Sequence, residues 1–261
     1  MNTDRFLTIP AEEYHAASRS GRCMSSHLLA DFRESPELYH RKTTGEIASV
    51  ETPALALGRA AHCLILEGRA AFDEQFIVSD GPVNARTSEP YGKATKAYAE
   101  WLASQDREVV SARDYGFITK LQKSVWLHDA AAELLDDGSP EGVIRTEYCG
   151  VPCQIRMDWF SPEHGIADLK TCDSLKWFEG DCRRFGYAFQ MAFYRAVLRE
   201  ATGETAPSTW SPWRRTSRSA RACRSFPATM QARAWSWQRA IDEGRCANGK
   251  EPADALGIDC Y

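Results

Sequence analysis

Long apolar runs are missing from this sequence, and so is any surplus of positive charge. No stretch of the 261 residues approaches the ~20 apolar residues that a membrane-crossing helix needs. The opening, MNTDRFLTIPAEEYH, has neither a basic n-region nor an apolar h-region, so no secretory leader is expected there. A formal net charge of −4 excludes a global nucleic-acid signature and leaves only local contact with such a partner. The nine cysteines are odd in number, scattered and without a C-x-x-C pair. Cys149 and Cys153 lie close together, but no matching pair follows, which argues against a zinc or iron–sulfur site. Reduced thiols and a cytoplasmic location are the expectation. Beyond these absences the composition is ordinary, with 43% hydrophobic and 26% charged residues. The chain is long enough for one large domain or two small ones with a full core.

What is present centres on Ile155 to Lys170, reading IRMDWFSPEHGIADLK. Cys153, Ile155, Met157 and Trp159 alternate with Gln154, Arg156, Asp158 and Phe160, the period of a strand with one buried face. Ser161-Pro-Glu-His-Gly165 breaks the run with turn chemistry, and Ile166–Thr171 resumes it, which predicts a hairpin. Asp168 and Lys170 are two apart and leave one face of the second strand, with Ala167 and Leu169 on the other. If Asp158 reaches that face, two carboxylates and an ammonium converge. Carboxylates can hold a hard divalent cation through oxygen, and the lysine can orient water or stabilise charge on a phosphate. A D-x-K on a strand is otherwise a solvated face with a weak ion pair.

Elsewhere, Ser25 or Ser26 is placed to cap a helix bearing Leu28, Leu29 and Phe32, and Ser35-Pro36 stops it and starts another. Thr52-Pro53 opens a helix over Ala54–Glu67, on which Gly58 and Ala61 permit close approach and His62 follows one turn after Gly58. A histidine on so apolar a helix is either a core residue or a ligand. Phe76–Val78 reads as a short strand, Lys93–Ser104 as a helix, and Val109–Ser111 as a lead into one long helix over Ala112–Leu135. Val143–Gly150, with Glu147 at its centre, reads as a strand that pairs with the hairpin. Helices over Leu175–Arg183 and Tyr187–Thr202 follow, the latter placing Gln190 and Tyr194 on one face.

Thr205–Phe226 differs from all of this. It holds five Arg and five Ser, no acid, and no Val, Ile, Leu or Met, so no buried strand is readable where a mixed sheet would gain one. Three readings compete: a shifted reading frame, which ranks first; a disordered linker; and a basic, Trp-bearing arm for a phosphate backbone. Residues 230–245 look helical again.

Four stretches together resemble the PD-(D/E)XK nuclease superfamily, most closely its RecB-like and RecE-like phage and prophage branch of exodeoxyribonuclease VIII type. Gly58-Arg59-Ala60-Ala61-His62 is similar to its G-x-x-x-H helix, Arg156-Met157-Asp158 with Asp168-Leu169-Lys170 to its core motif, and Gln190–Tyr194 to Q-x-x-x-Y. The segment Ile9–His15 with Ser25–Tyr39 looks like the N-terminus of that branch, and the likeness spans about residues 8–203. The resemblance implies a single α/β domain over 1–204, a central mixed β-sheet flanked by helices with a restriction-endonuclease-like core, followed by an atypical segment 205–261. It implies metal ligation by His62, Asp158, Asp168 and the Leu169 carbonyl, catalysis by Asp158, Asp168 and Lys170, and support of the site and DNA by Gln190 and Tyr194. Glu147 stands where related sequences often place an acid on the preceding strand. The implied cofactor is Mg²⁺, with Mn²⁺ as a substitute and no iron–sulfur cluster. The implied activity is 5′→3′ exonuclease action on double-stranded DNA in recombination, beside a RecT-like single-strand annealing partner and as a ring-like homo-oligomer. Two rivals stand beside it: a non-catalytic DNA-binding protein of this fold, and an endonuclease or an exonuclease of other polarity.

Overall fold

The computed structural model describes residues 6–7, 9–172 and 176–203, and the backbone of 208–214. Its helices begin where the polar caps stand. Ser25 accepts from the Leu28 amide at the start of α2 (Ser26–Glu34), and Ser35 from the Leu38 amide at the start of α3 (Pro36–Thr43). Thr52 does the same for Leu55 at α4 (Pro53–His62), where Pro53 also presets the first helical turn. Upstream lies α1 (Ala11–Arg19), with Glu12 and Glu13 in its first turn and Arg19 in its last, as the helix dipole favours.

The helix expected over Ala54–Glu67 changes character after His62. Cys63–Glu67 forms a π-helical turn, and Gly68, at φ 88°, begins α5 (Gly68–Gln75). Such turns occur often at functional sites because they re-aim the residues beside them. Next, β1 (Phe76–Val78) pairs in parallel with β2 (Glu108–Val110), so the expected lead at Val109 is in fact a strand. Between them Thr95 caps α6 (Lys96–Ala103), three residues later than the expected start at Lys93. The single helix expected over Ala112–Leu135 is two, α7 (Ala112–Trp126) and α8 (Asp129–Asp136). They divide at His128, whose backbone is extended and whose carbonyl starts α8.

The central sheet has the order β3 (Ser139–Tyr148), β4 (Val151–Ser161), β5 (Gly165–Cys172), β6 (Ser208–Arg214). The first two joints are antiparallel and the third is parallel, giving the mixed sheet that was expected. One face packs on Ala60, Ala61, Leu64 and Ile65, with Ile118, Leu121 and Val125 of α7, against Trp159, Ala167 and Leu169. The other packs α10 (Tyr187–Thr202), through Met191, Tyr194, Val197 and Leu198, against Ile144, Ile155, Met157, Phe160 and Ile166. A short helix, α9 (Phe178–Arg184), precedes α10. Covered on both sides, β4 is not the half-buried strand its alternation suggested. Gln154 on the polar register is fully buried, and its amide donates to the Tyr14 carbonyl and Ser18 Oγ, each at 2.7 Å. Those bonds satisfy the group and so allow its burial.

Ser208–Arg214 corrects the expectation that no strand follows residue 204. It lies parallel to β5 along the register Ile166↔Ser208 to Cys172↔Arg214. Main-chain bonding to an open strand edge does not require an apolar alternation, which is why the sequence does not announce β6. The sheet therefore continues past the boundary expected at 204. The competing readings for the rest of the segment up to Phe226, and the helix expected over 230–245, lie outside the described residues. Among the described residues no helix is long and apolar enough to cross a membrane.

Candidate metal centre and its cleft

The hairpin opens where the candidate residues stand. The β4–β5 ladder ends at the pair Trp159↔Ala167, one residue short of Asp158 and Asp168. The next amide, Leu169 N–H, is taken up by a side chain instead, donating to Asp158 Oδ2 at 2.8 Å. That bond satisfies a buried donor and fixes the Asp158 carboxylate between the splayed strands. His62 Nδ1, at the end of α4, stands 3.4 Å from the same oxygen, and His62 also bonds to the Leu169 backbone.

A third acid joins them that the sequence reading did not single out. Glu141 falls between the paired positions Pro140↔Trp159 and Gly142↔Met157, which places it across β3 from Asp158. Its backbone is left-handed, at φ 56°, an uncommon conformation for a residue with a side chain and a departure from the regular ladder. One ligand atom each from His62, Glu141 and Asp158 lies within 4.8 Å of the others. Arg156, two residues before Asp158, holds Glu141 in an ion pair. Glu147 does not join them, since it is exposed at the other end of β3 and opposite Pro152 beside the turn. The signal that could have found Glu141 was its register: a 17-residue separation from Asp158 around a tight turn at Cys149-Gly150 puts the two acids opposite each other.

Asp168 is turned to Lys170. Lys170 Nζ lies 2.6 Å from Asp168 Oδ2, so the ammonium pairs with that oxygen while the other carboxylate oxygen is buried without a hydrogen-bond partner. With the carboxylate only 1% exposed, leaving that second oxygen unbonded is costly unless a further cation completes it. Gln190 donates to the Tyr194 hydroxyl at 3.1 Å across one turn of α10, and Tyr194 lies close enough to Asp168 to feel its charge.

The charges are those of a site built for a cation. Burial, and then the neighbouring Asp158, lift Asp168 to about 6 against the pull of Lys170. Burial likewise raises Asp158, with Lys170 opposing, and raises Glu141, with Asp158 adding to the effect. Burial followed by the Lys170 charge lowers His62, keeping its imidazole neutral with a lone pair to give. Burial alone would lower Lys170, but Asp168 and Asp158 outweigh it and hold the ammonium charged. Crowded carboxylates that resist ionisation, a buried carboxylate oxygen left unbonded and a neutral imidazole together fit a divalent metal.

Beside this centre, reached through His62 and Lys170, lies a cleft of about 820 Å³. Gly58, His62, Lys170, Tyr187 and Gln190 all line it. A Cβ at Gly58 would stand 4.0 Å from Thr171 Oγ1, so the glycine relieves no clash and simply leaves the cleft wall open.

A mixed sheet whose central hairpin splays at D-x-K, with helices on both faces, defines a PD-(D/E)XK-like fold. The chain belongs to the family described as "PDDEXK-like domain of unknown function (DUF3799)", whose model matches residues 25–227 and so runs through β6. Among solved structures it is similar to a protein from Eubacterium rectale described as "Putative exonuclease", with a TM-score of 0.60 and 16% identity over 98% of this chain and 94% of that one. At that identity the likeness is one of fold. No curated protein matches the chain.

Proposed function

We propose that this chain is a divalent-metal-dependent deoxyribonuclease, using Mg²⁺ or Mn²⁺ to hydrolyse phosphodiesters of double-stranded DNA from an end, 5′→3′. The observation that carries the reading is the meeting of His62, Glu141 and Asp158 within 4.8 Å, beside the buried Asp168–Lys170 pair. His62, Glu141, Asp158, Asp168 and the Leu169 carbonyl would hold the metal, which lowers the pKa of an attacking water. Lys170, kept charged by Asp168 and Asp158, lies on the cleft side to orient that water and offset charge growing on the phosphate. Gln190 and Tyr194 brace the wall beside Asp168. The Leu169 amide keeps Asp158 from swinging when charge develops. End-directed action is supported by the RecE-like resemblance and by the description of the Eubacterium rectale structure. The same resemblance supports a role in phage or prophage recombination in the cytoplasm, beside a single-strand annealing protein, as a homo-oligomer.

The test is cleavage of one DNA in linear and circular form, with Mg²⁺ or Mn²⁺ and with chelator. Loss of the linear form alone, dependent on metal and absent from Asp158→Ala and Asp168→Ala, is expected. Cutting of the circle would make the protein an endonuclease. Binding without cleavage by the wild type would leave only a DNA-binding protein.

A further inference from the structure

The wall of the cleft made by the end of α9 and the start of α10 carries three rings at alternate positions, Phe185, Tyr187 and Phe189. A cation stands over each ring. Arg184 lies 5.2 Å from the Phe185 centroid, Lys170 5.0 Å from Tyr187, and Arg33 4.1 Å from Phe189. The left-handed Gly186, at φ 67°, turns the chain so that Phe185 stacks beside Tyr187, with centroids 5.9 Å apart and planes 28° apart. Tyr187 and Phe189 also pack on buried clusters, so their rings have a structural use. Phe185 has none of that kind, since it joins no buried cluster and stays 57% exposed inside the cleft. The only acid among the lining residues of the described cleft is Asp181.

We propose that this ladder is a stacking platform for unpaired bases, so that the strand reaches the metal centre single-stranded. This rests on the nuclease reading and adds the form in which its substrate is held. Rings accept the faces of any base, and interleaved cations follow the phosphates, the combination by which single strands are bound without sequence preference. The ladder leads inward, because the cation over its middle ring is Lys170 itself. At about 820 Å³ the cleft falls within the range of about 300–1,000 Å³ typical of ligand pockets.

The test uses the full chain in chelator, with fluorescence anisotropy of a labelled twelve-nucleotide oligo(dT) and of a blunt hairpin duplex. The oligonucleotide is expected to bind more tightly than the duplex, and Phe185→Ala to weaken it about ten-fold or more, with Phe185→Trp restoring it. Since Phe185 is exposed, its replacement should leave the melting temperature unchanged, which separates lost stacking from lost folding. Equal binding by wild type and Phe185→Ala, or a duplex bound as tightly as the single strand, would overturn the platform. A parallel cleavage assay with Mg²⁺ keeps the two readings apart. Cleavage with a Phe185→Ala protein indistinguishable from wild type overturns the platform alone. Phe185-dependent binding without any cleavage overturns the nuclease reading and leaves the platform standing.

Discussion

The two ends of β3 each carry a glutamate, and the fold treats them oppositely. Glu147 sits beside the Cys149-Gly150 turn, exposed, opposite Pro152. Glu141, six residues earlier and so about 20 Å away along the strand, is half-buried, paired with Arg156 and grouped with His62 and Asp158. Residue type is therefore not what makes a ligand. What differs is the neighbourhood: at one end β4 continues into a solvent-facing turn, while at the other it parts from β5 beneath α4. An acid in the first place is solvated and independent, whereas an acid in the second shares a crowded field with two others.

The largest effect should come from the acids at the centre of the buried end. Asp158→Ala and Asp168→Ala should each lower Mg²⁺-dependent cleavage by on the order of 10³-fold or more, with little change in far-UV circular dichroism. Near-normal activity in either purified variant would remove the site from this end of the sheet altogether. Excess Ca²⁺ should bind there yet support cleavage poorly, because its looser coordination places the water badly.

The direct test of the comparison is Glu141→Gln against Glu147→Gln. The first should cost about 10²-fold at limiting metal and recover in part as metal rises, while the second should match wild type in a metal titration. Equal behaviour of the two would abolish the distinction between the ends of β3. His62→Ala comes next, weakening apparent metal affinity about 10-fold or more, with partial rescue by added metal. A fall in melting temperature without such rescue would instead make His62 a packing residue of α4.

The smallest effect is on stability against pH. Asp168 is lifted to about 6 in the folded protein from an unfolded value near 3.9. A raised carboxyl favours folding fully below the unfolded value, and that contribution is lost as pH rises through 6. Between pH 7.5 and 5.5 the metal-free wild type should therefore gain about 1 kcal/mol from this group, roughly 2–4 °C in melting temperature. Asp168→Asn should lack that gain, and saturating metal should suppress it in the wild type. A wild type and variant with parallel pH profiles would show that Asp168 is not held in this state.

The sequence by itself determined the elements whose signals are local. Strand period and turn residues marked the Ile155–Lys170 hairpin, and Ser25, Ser35 and Thr52 marked helix starts through bonds made within a single turn. It also determined the pairing of Asp168 with Lys170, because residues two apart on a strand share a face in any fold. Tertiary structure alone decided that Glu141 and not Glu147 meets Asp158, since that depends on where the β3–β4 turn falls and on the break in the ladder at Glu141. It decided that Asp168 is buried with one oxygen left unbonded, which follows from layers of helix closing on both faces of the sheet. It decided β6 as well, whose place on β5 comes from the open edge of a neighbouring strand and not from any alternation of its own. Local chemistry can be read along the chain, but the meeting of distant groups depends on register and layer packing, and those exist only once the chain has folded.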